Sequence, residues 1–221
     1  MNLINKLKLP NQAIKILILL LSVDLFYILM YIISKVARAL DIGVTIRDDA
    51  FNLSKDLGIS ESFQYAKEFW IILLFAWLIY KNRNFSYIGW SFLYIYLLLD
   101  DMLSIHERLG YLIIGNLGIF RQIGVNALIG VLFLSLIAIS YLRGNTEIRT
   151  TFHYLIGGLL LLVFFGVGVD FFSDLFFPVE THRILLLITN IFEDGGEMIA
   201  MSLMCWYVYT LTEPALVAAT Q

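Results

Sequence analysis

Apolar residues fall into six long runs separated by short polar breaks. The runs cover about residues 12–36, 62–80, 85–107, 123–142, 152–176 and 183–212. Each comes close to or exceeds the roughly 20 residues that a helix needs to cross a hydrocarbon core. The breaks carry helix-boundary chemistry. Asn11 can cap the first run, and Lys81-Asn82-Arg83 closes the second. Gly110 follows the third, while Pro178 and Pro214 follow the fifth and sixth. Residues 41–61 are polar and mixed in charge, a loop with room for one short surface helix. Residues 111–122 are apolar but too short to span, which predicts an interfacial or re-entrant segment. The pattern predicts an all-α polytopic membrane bundle of about six transmembrane helices, with residues 1–221 as a single domain and no internal repeat.

Composition strengthens this reading. The chain is 60% hydrophobic and 15% charged, with a mean hydropathy of +0.82, whereas soluble domains are nearer about 45–50% apolar. The single cysteine, Cys205, allows no intrachain disulfide. Three histidines are too few for a site built on imidazole alone, and no basic stripe points to nucleic acid. With six spans, Lys6, Lys8, Lys15, Lys81, Arg83, Arg143 and Arg149 share one side. The positive-inside rule makes that side cytoplasmic, with both termini on it. The expected location is a bacterial inner membrane.

Charge changes the picture most where it interrupts the apolar runs. Ile191-Phe192-Glu193-Asp194-Gly195-Gly196-Glu197-Met198 puts three carboxylates in a predicted span. At about 100° per residue, Glu193 and Glu197 are offset by roughly 40°, and Asp194 lies roughly 60° beyond Glu197, so all three fall on one side. Asp100, Asp101 and Glu107 close the third run, Asp170 and Asp174 the fifth, and Glu68 opens the second. Asp24 is mid-span in the first. On this topology the acids gather at one depth. Lys67 and Arg108 can each neutralise one; the others must be protonated, hydrated or bound to cations, because a bare charge in hydrocarbon costs several kcal/mol.

Three chemistries fit such a set. Carboxylates and a histidine from several helices are how bundles hold metals. Asp100, Asp101, His106, Asp170, Glu193 and Glu197 would be the ligands of a divalent metal (Zn, Fe, Mn, Mg or Ca), with Glu107 or Asp174 carrying the proton. That arrangement predicts a metal-dependent membrane enzyme, a hydrolase acting on a lipid or other amphiphile. The same acids, with Asp24, Glu68 and Asp194, also fit a proton- or cation-conducting protein. In the third reading they only fix helix packing, in a structural subunit of a larger membrane complex or a homo-oligomer.

Leu99-Asp100-Asp101-Met102-Leu103-Ser104-Ile105-His106-Glu107 resembles a Leu-Asp-Glu…Ile-His-Glu motif of uncharacterised bacterial multipass membrane proteins, which pair it with a late acidic stretch like Glu193 to Glu197. Glu68-Phe69-Trp70 and Leu99-Asp100-Asp101 are also similar to early motifs of the alkaline ceramidase-like membrane hydrolases. That resemblance implies a zinc hydrolase. In place of that family's late His-x-x-x-His, this chain has Glu193-x-x-x-Glu197.

Overall fold

The structure, a computed structural model, describes residues 11–41, 51–55, 57–105, 108–109, 119–169, 171–172 and 183–219. Every regular element among these residues is helical. In chain order they are α1 (Asn11–Ala39), α2 (Ile59–Asn82), a 3-10 turn (Phe85–Tyr87), α3 (Ile88–Leu103), α4 (Ile119–Arg143), α5 (Thr146–Val163) and α6 (Arg183–Ala219). A π-helical turn, Phe164–Val169, continues α5. Among the described residues, three helical stretches are long and apolar enough to cross a membrane: Gln12–Ala39, Ile59–Asn82 and Thr146–Val169. Ala127–Arg143 is a shorter apolar helix. The 37 residues of α6 make it about 55 Å long.

Helix ends follow local chemistry that the apolar runs blur. α3 stops at Leu103 rather than reaching 107, because Ser104 turns left-handed (φ 49°, ψ 48°). Its N–H donates back to Asp100 O at 2.7 Å. α5 starts at Thr146, ahead of its apolar run, because the Asn145 side chain accepts the Ile148 N–H at 3.0 Å. α6 runs on through Pro214 to Ala219. A proline removes one N–H donor, and so late in a long helix the remaining ladder carries it. Of the predicted re-entrant segment, residues 111–118 lie outside the described residues, and 119–122 form the first turn of α4.

The chain divides into two compact units, residues 1–67 with 155–210, and residues 68–154 with 211–221. In the first unit α1 runs antiparallel to α6: Asp24 meets Ser202, and Ile28 lies against Gly195. Tyr31, Leu53 and Met198 form its buried apolar centre, packed by Tyr27, Ile28, Phe63, Leu187 and Ile191. α5 also runs antiparallel to α6 and approaches through glycines. A Cβ at Gly158 would meet Met204, and one at Gly196 would come within 2.2 Å of the Phe165 ring. In the second unit α3 packs on α4, with Gly89 against Ile137. Rings of Phe75, Tyr87, Trp90, Tyr141 and Phe152 fill the space beside that seam.

Besides this apolar core, many large apolar side chains face outward while several charged and polar ones are buried. Ile18, Leu19, Leu25, Phe26 and Leu29 of α1 are exposed, while Asp24 between them is buried. Lys67, Glu68, Gln64, Ser202 and Thr212 are buried as well. Charged residues are the types least often found inside a soluble protein.

Candidate functional site

The first unit holds a charged centre that begins with α1. Between Lys15 and Lys35, Asp24 is the sole charged side chain of that helix. It turns away from the exposed leucines and is 1% exposed. Its partner is Lys67 of α2, 0% exposed, with Nζ 3.0 Å from Asp24 Oδ1. Lys67 also donates to Met198 O at 2.8 Å and to Ser202 Oγ at 3.3 Å. Ser202 Oγ in turn donates to Asp24 Oδ2 at 2.5 Å. The ammonium lies 4.9 Å from the centre of the Phe63 ring, within cation–π range. Ammonium, carboxylate and hydroxyl thus close a ring of hydrogen bonds shared by three helices. Such a centre has two neutral forms, ammonium with carboxylate or amine with carboxylic acid, and the hydroxyl lies between their ends.

Above it, α6 presents a stripe. Asn190, Asp194, Met198 and Ser202 are spaced four apart, so each is offset by about 40° from the last. Ser54 donates to Asp194 Oδ2 and accepts from Asn190 Nδ2 at 2.8 Å. These bonds fasten the 51–55 turn to α6, and Leu53 beside them is buried in the apolar centre. Glu197 faces another way: a Cβ at Gly166 would come within 1.9 Å of Glu197 Oε1. The carboxylate therefore rests on the bare backbone of the π-helical turn. Of the three acids expected on one side, Asp194 goes to the 51–55 turn and Glu197 to the π-helical turn after α5.

The other predicted site residues fall as follows. Glu193, Asp194 and Glu197 are half-buried on α6 in the first unit. Glu68, Asp100 and Asp101 belong to the second unit. There Glu68 and Asp100 are buried, and Asp101 is exposed in the last turn of α3. His106, Glu107, Asp170 and Asp174 lie outside the described residues. Among the described residues, no three His, Cys, Asp or Glu side chains gather as a metal-holding group.

Sequence reasoning gave Lys67 a neutralising role but no partner, and it passed over Ser202 and Ser54. A usable signal was present. Asp24 and Lys67 are opposite charges set in predicted spans, and pairing is the cheapest way to bury both.

The chain belongs to the DUF8692 family. The match to this domain of unknown function covers residues 15–211, so it takes in Asp24, Lys67, the α6 acids and Ser202. Comparison with curated proteins and with solved structures returned no match.

Proposed function

We propose that the chain is an integral membrane protein that carries protons or small cations through a path of buried acids. A bilayer setting is supported by three helices of spanning length among the described residues and by the exposed apolar face of α1. The observation that carries the conduction reading is the buried ring of Asp24, Lys67 and Ser202. Ionisable groups at such depth are expensive, and in membrane helices they mark ion and proton routes. A proton arriving at Asp24 weakens its hold on Lys67, and the Ser202 hydroxyl can relay it between the two. Asp194 and Glu197, one to two turns before Ser202 on α6, extend the route. The termini are assigned to the cytoplasm, in a bacterial inner membrane.

The test is proton flux into liposomes holding the purified protein and a pH-sensitive dye, driven by a potassium diffusion potential. The expected flux exceeds that of empty vesicles and falls at least about tenfold in Ser202→Ala, where a relay group is lost. Asp24→Asn is expected to lower it similarly wherever that variant folds. Wild-type flux equal to empty vesicles, or full flux in Ser202→Ala, would sink the reading.

A metal-dependent membrane hydrolase is the second reading. Its support is the seat of Glu197 on the π-helical turn Phe164–Val169, the segment that leads to Asp170. Such turns occur frequently at functional sites. The reading expects one Zn, Fe or Mn per chain in protein purified without chelator, lost in Glu197→Gln. Metal-free wild-type protein by plasma mass spectrometry rules out that transition-metal form.

A further inference from the structure

The second unit gathers positive charge at one end. Phe75 of α2, Tyr87 before α3, Tyr141 of α4 and Phe152 of α5 meet at one level, with ring centres 6.0 to 6.4 Å apart. From that level α2 runs on to Lys81, with Arg83 just past its end, α4 runs on to Arg143, and α5 runs back to Arg149. All four side chains are exposed. Within residues 80–88 and 138–155 the sole acid is Glu147. Arg149 is held in place: Nε donates to Tyr141 O at 3.3 Å, Nη2 donates to Leu142 O at 3.1 Å, and the guanidinium stacks 5.6 Å over the Tyr141 ring. A guanidinium has five N–H groups, and these two bonds use two of them. Exposed Tyr80, Phe85 and Tyr154 stand among these cations. Aromatic rings mixed with basic side chains at the ends of apolar helices suit the headgroup layer of a bilayer.

We propose that this rim binds the phosphate of an anionic phospholipid headgroup, with Arg149 as the fixed donor and Lys81, Arg83 and Arg143 as mobile ones. The proposal rests on the bilayer reading above but not on ion conduction. The lipid is the source of the phosphate, because two of the helices bearing the rim are candidate spans that end or begin at it. Its acyl chains would lie along the exposed apolar faces below the cations.

The experiment uses the full chain in neutral detergent. Short-chain phosphatidylglycerol, phosphatidylcholine or inorganic phosphate is titrated in, and the thermal midpoint is read. Phosphatidylglycerol is expected to raise the midpoint saturably, and the other two are not. In Lys81→Gln/Arg83→Gln/Arg143→Gln, which keeps the Arg149 cap on α4, the apparent affinity is expected to fall by roughly a hundredfold, about fivefold per cation. Equal shifts from the two lipids, an equal shift from inorganic phosphate, or an unchanged affinity in the triple variant would each overturn the proposal. Retention of the chain in carbonate-washed membranes is read in parallel, so failure of the bilayer reading shows separately.

Discussion

A lysine ammonium carries three N–H donors, and Lys67 sends them to Asp24, Ser202 and the Met198 carbonyl. With both partners buried, removing one strands the other. Lys67→Met leaves Asp24 without its cation, and about 3–5 kcal/mol of stability is expected to go with it. The double variant Lys67→Met/Asp24→Leu is expected to recover most of that loss, because a matched apolar pair avoids the desolvation cost altogether. Unfolding midpoints of the two single variants and the double variant form the cycle that checks this. A double variant no more stable than Lys67→Met would mean that the loss comes from packing, not charge. Neither identity nor spacing named this pair, since Asp24 and Lys67 stand 43 residues apart. What the chain did show was an acid and a base each set in an apolar stretch, a combination that hydrocarbon does not tolerate apart.

The α5–α6 seam shows how elements set what residues can do. Gly196 lies under the Phe165 ring, a rigid plane that must move as a whole to make room. Gly158 lies under Met204, whose thioether is flexible, and a Cβ at Gly157 meets nothing within 4 Å. Alanine substitutions are therefore expected to rank in that order. Gly196→Ala should lose about 1–3 kcal/mol and Gly158→Ala less than about 1, while Gly157→Ala should be neutral or gain a few tenths. Thermal midpoints of the three variants test the ranking; Gly196→Ala as stable as Gly157→Ala would contradict the described seam. In the sequence, Gly195 and Gly196 stand side by side among the three acids of a predicted span. In the fold both glycines are packed, Gly195 against Ile28 and Gly196 against Phe165. The irregular backbone lies across the seam instead, in the π-helical turn around Gly166, where no composition signal announces a wider helix.

At the scale of the whole molecule, the charge distribution carries the expected orientation. Lys81, Arg83, Arg143 and Arg149 ring one end of the second unit, whereas α3 carries Asp100 and Asp101 at its far end. If the positive end is cytoplasmic, Arg83→Cys and Asp101→Cys should react with an impermeant thiol reagent from opposite faces of sealed vesicles. Both positions are exposed, and native Cys205 is buried, so its background is low. Labelling of both from one face would reject the assigned topology, and labelling in reverse would invert it. The same experiment decides whether the lipid proposed at the basic rim belongs to the inner leaflet.

What the sequence determined by itself is set by local physics. Long apolar runs make helices because the backbone must bond to itself where no water can reach, and every described element is a helix. Cap chemistry was legible in part: α2 closes at Asn82 within the Lys81-Asn82-Arg83 break, whereas α3 ends on a left-handed serine that no propensity favours. The tertiary structure alone decided which charges meet. Angles about a helix axis place Glu193, Asp194 and Glu197 on one side, but neighbours on two flanks draw Asp194 to Ser54 and let Glu197 rest on Gly166. Pairing Asp24 with Lys67 and Ser202 needed three helices at the right depth and rotation. Those are set by which side chains interlock across the seams, information spread over the chain and held at no single position.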